Sequence, residues 1–544
     1  MEPKNFKSLL PLGRSSFEMI RMCGLSYADK TELIDELAFC RGFYFFAHPR
    51  RFGKSLLLST FASLFEHGLE YFKGLAIESL WKDERRYKVV RLDFSSIKGA
   101  RNAEEFRKLL RAQLDVTFGR FGFKYVPHPF LSFFDQLGEW MEGEPRFSYV
   151  LLIDEYDAPL TAALEDPELF ADVGRELSAF YEAVKKNGGL WRFFFVTGIT
   201  KLPQSGIFDA LNFVIDISLS GRFATLAGFT EAEIRENFAP HLERAAKTLS
   251  LSVDEVVGRI EENYGGYLFD TLEGVPREPV RVASPWAVLN FLKKPDEGFV
   301  PYWSQSGGTT SVLKRYLKGS VFQDPREYFE PKLEDTLALK SGSPWRGSFN
   351  KIFLTQSGYL TIKKTYGSVL ALDYPNADVA LSMTAPYCEN LFGYEEGVDI
   401  RGAIWRAAVA GNADALIAAL NQAFLAGKPD TYPATDAEEC LGLSVLFLRD
   451  ASFYALPVPP DDGPDGGKEN KATAITFEAK DFRWMLELRF LAASDPESKE
   501  KELLDQACSQ IADRQQGENS RKELVRVAAV FSEKEHSFTL WKSA

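Results

Sequence analysis

Histidine is scarce in this chain, with five copies in 544 residues, and cysteine is no commoner. The five cysteines, Cys23, Cys40, Cys388, Cys440 and Cys508, are scattered and form no Cys-x-x-Cys pair. Together these shortages argue against a zinc site, a histidine-based metal centre and a disulfide framework, and they fit a reducing compartment. No run of 18 or more apolar residues occurs, so no membrane-spanning helix is expected. The first twenty residues, MEPKNFKSLLPLGRSSFEMI, lack the apolar core and cleavage site of a signal peptide, so the cytoplasm is the expected location. A basic excess is missing as well. The net charge of −13 argues against a uniformly basic nucleic-acid coat while leaving room for a local basic patch.

Phenylalanine is abundant, at 45 copies, and supplies many large core anchors. Hydrophobic residues make up 45% of the chain and charged residues 26%, the balance of an ordinary globular protein. The length exceeds what one core serves and suggests roughly two to four domains.

The first part alternates short apolar runs with helical periodicity. FYFFAH (43–48), YKVVRLDFS (87–95), SYVLLIDEYD (148–157) and RFFFVTGITK (192–201) read as strands, with helices after residue 54 and over 102–119. Strands alternating with helices imply an α/β, doubly wound parallel sheet, whose ligands bind at the carboxyl ends of the strands. Residues 228–264 are helical by period and suggest a helical lid or winged-helix-like region. WRAAVAGNADALIAALNQAFLAG (405–427) reads as one long helix, and 457–470 as a Pro/Gly/Asp-rich loop. A hairpin-like pair, TAITFEAKD and FRWMLELRFLA, then a helix and the strand VRVAAVFS (525–532), complete the chain. The expected domains are 1–227, 228–400 and 401–544.

HPRRFGKS ends in half of a phosphate-binding loop. The motif G-x-x-x-x-G-K-[ST] finds Gly53, Lys54 and Ser55, but its first glycine position is His48. The loop lies directly between a strand and a helix, as the motif requires. There Lys54 would meet the β- and γ-phosphates, Ser55 would offer its hydroxyl to Mg²⁺, and the amides of Arg50, Arg51, Phe52, Gly53, Lys54 and Ser55 would cradle phosphate. YVLLIDEYD has the Walker B pattern, with Asp154 placed to hold Mg²⁺ and Glu155 to polarise the attacking water. Thr197 or Thr200, at the tip of a neighbouring strand, could orient that water. Arg50, Arg51 and Arg222 are candidates for stabilising γ-phosphate charge.

The stretches YADKTELIDEL, HPRRFGKSLLLST, VVRLDFS, VLLIDEYDAPL, FFFVTGITKL and GRFATLAGFTEAEI resemble, in order, the AAA-ATPase-like family of bacterial proteins. SPWAVLNFL, LTQSGYLTIKK and LDYPNADV extend the resemblance, which covers about residues 5 to 385. In that family the first Walker glycine is commonly absent, so His48 fits the pattern. The resemblance implies a P-loop NTPase fold, ATP binding at Lys54 and Ser55, and Mg²⁺ contact and hydrolysis at Asp154 and Glu155.

Relatives usually end in a nuclease-like domain of the PD-(D/E)XK superfamily, whose chemistry needs two carboxylates on Mg²⁺ and a lysine. Here MLELRF supplies Glu487 with Arg489 in the lysine position, and Gln510-Ile511 fits the following helix. Asn470-Lys471-Ala472-Thr473 occupies the place of Gly-Arg-x-Asp, so Thr473 replaces the metal-binding aspartate. Arginine is a poor stand-in for lysine. The expectation is therefore an inactive PD-(D/E)XK-like α/β domain. The leading functional expectation is an ATP-binding, hydrolysing P-loop protein using that domain to dock nucleic acid or a protein partner. Two alternatives stand beside it: an active ATP-coupled, Mg²⁺-dependent nuclease in defence against mobile DNA, and a nucleotide-binding scaffold without turnover. A homo-oligomer is left open.

Overall fold

The computed structural model describes residues 9–164, 166–202, 206–272, 278–303, 332–341, 349–392, 394–427, 434–458, 473–513 and 522–543. Two compact units divide the chain; among the described residues the first runs to Asn376 and the second starts at Ala377.

The first unit is built on five strands: β1 (Phe43–Ala47), β2 (Lys88–Asp93), β3 (Tyr149–Asp154), β4 (Trp191–Gly198) and β5 (Ile215–Asp216). They form one parallel sheet in the order β2-β3-β4-β1-β5. Helices cover both faces, so β3 and β4 read as near-continuous apolar runs rather than alternating ones. Alternation survives as two aromatic layers. Phe193 and Phe195 meet Phe61 of helix Lys54–His67, with ring centroids 4.9 and 5.0 Å away. Phe194 and Val196 point to the opposite face and join Phe45, Tyr156 and Phe180. Helix Ala103–Gly119 packs there through Phe106, Leu110, Leu114 and Phe118, an i, i+4 stripe that is fully buried.

Four of the strands lie where the apolar runs predicted them. β5 was not among the expected strands: it is two residues long, and both are exposed. The order has a functional consequence. β4 lies between β1, which leads into the phosphate loop, and β3, which ends at Asp154, so three carboxyl ends converge.

Helices Glu231–Leu249 and Val253–Tyr264 each begin with a capping box, Thr230 with Glu233 and Ser252 with Glu255. With Pro285–Lys293 they form a second core through Ile234, Phe238, Ile260 and Phe291. A small antiparallel sheet, β6 (Lys332–Asp335), β7 (Thr361–Tyr366) and β8 (Val369–Asp373), takes the order β6-β8-β7 in the same unit.

In the second unit β9 (Leu456–Val458), β10 (Ala474–Ala479), β11 (Phe482–Leu491), β12 (Glu523–Ser532) and β13 (Ser537–Ser543) form a mixed sheet ordered β13-β12-β11-β10-β9. β10 and β11 make the expected antiparallel hairpin, and β12 runs parallel to β11 after helix Lys499–Asp513. The predicted helix 405–427 is two helices, Tyr394–Val409 and Ala413–Ala426. The break is at Gly411, whose φ is 64°, and a Cβ there would lie 2.5 Å from the Phe482 ring. Asn412 caps the second helix through the Ala415 amide. The predicted loop at 457–470, like Asn470 to Ala472, lies mostly or wholly outside the described residues. Among the described residues no helix is long and apolar enough to cross a membrane.

Candidate functional site

His48 extends the β1–β4 ladder by one bond, its amide donating to Gly198 O at 3.1 Å. Its imidazole is fully buried between the rings of Phe46 and Phe269, 4.0 and 3.8 Å away. Nε2 lies 3.1 Å from Ser218 O, which assigns the proton to that nitrogen. Burial, and the Lys54 charge after it, push this imidazole down to about 3, so it stays neutral. The ring thus packs the start of the loop where the motif has glycine, while the left-handed φ values fall on Arg51 (68°) and Gly53 (98°). Phe52 anchors the middle: it is buried edge-on against Tyr267 and Phe269, at 4.8 and 5.5 Å, and its carbonyl accepts from Gly228 N. The Arg51 guanidinium lies over the Trp286 ring, 4.3 Å from its centroid.

Lys54 opens the helix that follows. Its Nζ donates to His48 O and Pro49 O, both at 2.7 Å, folding the side chain back along the loop. The residue is only 7% exposed, and burial pushes the ammonium down to about 8 despite nearby Asp154, Asp157 and Glu155. Ser55, next along, is exposed.

Asp154 closes β3. Thr197 Oγ1 donates to its Oδ1 at 2.6 Å and the Glu155 amide to the same oxygen at 3.0 Å, which fixes the carboxylate's orientation. Glu155 sits at φ 49°, and burial, with Asp154 beside it, raises its carboxyl above the ordinary value. Asp157 is 1% exposed and accepts from Ile199 N, Thr200 N and Thr200 Oγ1. Tyr156 donates its hydroxyl to Thr200 O. The DEYD stretch therefore supplies two outward acids and two inward anchors for the end of β4.

Residues 50–55, Asp154 and Glu155 line one cavity of about 390 Å³, together with Tyr27, Ala28, residues 226–229 and Trp286. Thr197 and Thr200 are both buried with their hydroxyls committed to carboxylates. Arg222 is placed on the surface: Nε and Nη2 grip Glu36 at 2.7–3.0 Å, its side chain is 68% exposed, and it is not among the cavity's lining residues. Asp157 is not among the expected site residues, although a second acid three residues after Asp154 is a visible signal. Neither is Lys30, whose Nζ donates to Glu233 Oε2 at 2.6 Å and ties the Asp29-Lys30-Thr31 stretch to the second core. That pair is a tertiary contact with no local signature.

In the second unit Glu487 is fully buried, and Thr473 Oγ1 and Arg489 Nη1 both donate to its Oε1, at 2.6 and 2.9 Å. Arg489 Nη2 also donates to Gln510 on helix Lys499–Asp513.

A parallel sheet with a strand–Gly-Lys-Ser–helix unit beside an Asp-Glu strand end defines a nucleotide-binding P-loop protein. Residues 11–208 match the family described as a predicted AAA-ATPase. An uncharacterised protein from the vnfD 5′ region of Azotobacter chroococcum mcd 1 is 30% identical over 383 residues, 69% of this chain and 69% of that one. The chain belongs to this predicted AAA-ATPase family. Among solved structures, the Aeropyrum pernix ORC2 protein in ADPNP and ADP complexes aligns over 69% of this chain and 92% of its own at 12% identity, with a TM-score of 0.27.

Proposed function

We propose that the protein binds ATP with Mg²⁺ and hydrolyses it in the cavity at the ends of β1 and β3. The observation that carries this reading is that Lys54 and Ser55, from the start of one helix, and Asp154 and Glu155, from the end of β3, line a single cavity. Lys54 binds the terminal phosphates through its ammonium, exchanging the two loop carbonyls for phosphate oxygens. The loop amides and the start of helix Lys54–His67 add positive potential. Ser55 and Asp154 are the residues that would hold Mg²⁺, which when bound neutralises phosphate charge. Glu155 takes a proton from the attacking water, and its raised affinity for protons suits that task. Tyr27, Ala28, residues 226–229 and Trp286 form the cavity's more apolar wall and offer a place for the nucleoside. Phosphate release by the full chain with Mg²⁺ and ATP tests the reading directly.

The low value at Lys54 gives a pH dependence. Phosphate favours the ammonium, and above about pH 8 the free protein must take up a proton to present it. ATP affinity is therefore expected to fall by about tenfold per pH unit above pH 8, until the value in the complex is passed. Equilibrium titrations at pH 7, 8, 9 and 10 check this; a flat affinity would contradict it.

The second unit, on the same reading, is a nuclease-like domain without a metal site, used for docking nucleic acid or a partner. The support is the hairpin–helix–strand arrangement of β10, β11 and β12 and the fate of Glu487, whose Oε1 already holds the Arg489 cation. One carboxylate with a fixed guanidinium on it is a poor ligand set for Mg²⁺, which dehydrates reluctantly. The full chain is expected to leave plasmid, single-stranded DNA and RNA intact with Mg²⁺ or Mn²⁺, with or without ATP. Cleavage that disappeared in Glu487→Ala would overturn this.

A further inference from the structure

Three consecutive amides follow Gly198 at the end of β4, and side chains hold all three. Asp157 accepts from Ile199 N and Thr200 N. The third, Lys201 N, donates to Gln356 Oε1 at 3.1 Å. Gln356 is 155 residues further along the chain, at the end of helix Phe349–Gln356, and outside the residues 11–208 that match the family. The turn it begins touches the phosphate loop as well. Gly358 has φ 85°, and a Cβ on it would lie 2.7 Å from Cβ and Cγ of Pro49. Pro49 O is one of the two carbonyls that hold Lys54 Nζ. A few residues on, Thr361 Oγ1 accepts from Leu268 N, beside the Phe269 ring that covers His48. Residues 356–361 thus rest against both loops that flank the position of the terminal phosphate.

We infer that Gln356 is a positioning residue of the nucleotide site, setting the end of β4, and with it the Thr197–Asp154 contact, relative to the phosphate loop. The inference rests on the ATPase reading. Lys201 lies four residues beyond Thr197, whose hydroxyl orients Asp154 at 2.6 Å. Releasing Lys201 N frees one end of that strand tip while leaving Lys54, Ser55 and the loop amides in place. Small displacements of reacting geometry cost rate far more than ground-state affinity. Gly358 acts on the other side: its lack of a side chain lets the turn approach Pro49, so its role falls on nucleotide affinity.

The test measures ATP dissociation constant and kcat on the full chain, with hydrogen exchange of the 199–202 amides. Gln356→Leu is expected to lower kcat about tenfold, leave affinity within about twofold, and speed exchange at 199–202. Gln356→Glu, which keeps an acceptor, should restore turnover to within about threefold and restore protection. Gly358→Ala should instead weaken ATP binding by about tenfold. If the leucine variant does not fold, Gln356→Asn, whose shorter side chain cannot reach Lys201 N, carries the same expectation. Wild-type turnover in Gln356→Leu, equal losses of affinity and kcat, or no rescue by glutamate would overturn the inference. A wild-type chain that does not hydrolyse ATP would instead refute the ATPase reading, and the inference with it.

Discussion

Replacing Lys54 with alanine is expected to weaken ATP binding by roughly 2–4 kcal/mol, about 30- to 1,000-fold, the scale of a lost charge-assisted phosphate contact in a water-poor site. In the free protein the ammonium is satisfied by His48 O and Pro49 O, so no strong ion pair is broken by the change. The effect on stability works in two directions. Because burial holds Lys54 down to about 8, below its unfolded value, the folded state bears a cost for that charge at neutral pH, a cost that begins to lessen as pH rises past about 8 and is gone only above the unfolded value. Alanine removes this cost and loses buried methylenes, so the two effects offset. Lys54→Ala should therefore fold like wild type, with a similar melting temperature, and fail in equilibrium ATP titrations. Wild-type affinity in a folded Lys54→Ala protein would show that the phosphate site has been misplaced.

The second large effect separates chemistry from binding. Glu155→Gln keeps the size of the side chain and removes its ability to take a proton. Turnover should fall by about 10²-fold or more, the usual scale of general acid–base work. ATP affinity should hold or rise slightly, since a negative charge near the phosphates is lost. The backbone at φ 49° is unchanged by the substitution, so the Glu155 amide still donates to Asp154 Oδ1. Steady-state kinetics with a parallel binding measurement distinguish this from a structural role, for which affinity and turnover would drop together.

Much of the first unit was legible because a parallel sheet covered on both faces needs uninterrupted apolar strands, and FYFFA, YVLLID and RFFFVTG are hard to read otherwise. β5 escaped because Ile215 and Asp216 are exposed and its pairing with Tyr44 and Phe45 is set by tertiary structure. The break at Gly411 is different: glycine followed by asparagine was a readable stop-and-start signal, and the apolar periodicity on both sides concealed it. In the candidate site, Gly53, Lys54, Ser55, Asp154 and Glu155 are singled out by spacing, since the motifs that name them constrain residue type locally, and they line one cavity. Thr197 was noticed as a strand-tip hydroxyl, but its partner, Asp154, is 43 positions away, and the role it takes follows from strand order. Arg222 shows the reverse limit. A lone arginine carries no local information about its partner, and Glu36 is 186 positions away. Asp157, Lys30 and Gln356 act through backbone amides or distant acids, contacts that no short motif encodes.

On this reading one cavity, bounded by the phosphate loop and the Asp154-Glu155 strand end, takes ATP together with Mg²⁺. Isothermal titration of the full-length Glu155→Gln chain with ATP, with and without Mg²⁺, tests it most directly because slow turnover keeps the nucleotide intact. Saturable binding of one ATP per chain is expected, strengthening with Mg²⁺ and weakening again when Asp154 is also changed to alanine. Absence of binding at millimolar ATP, or binding indifferent to both Mg²⁺ and Asp154, would contradict it.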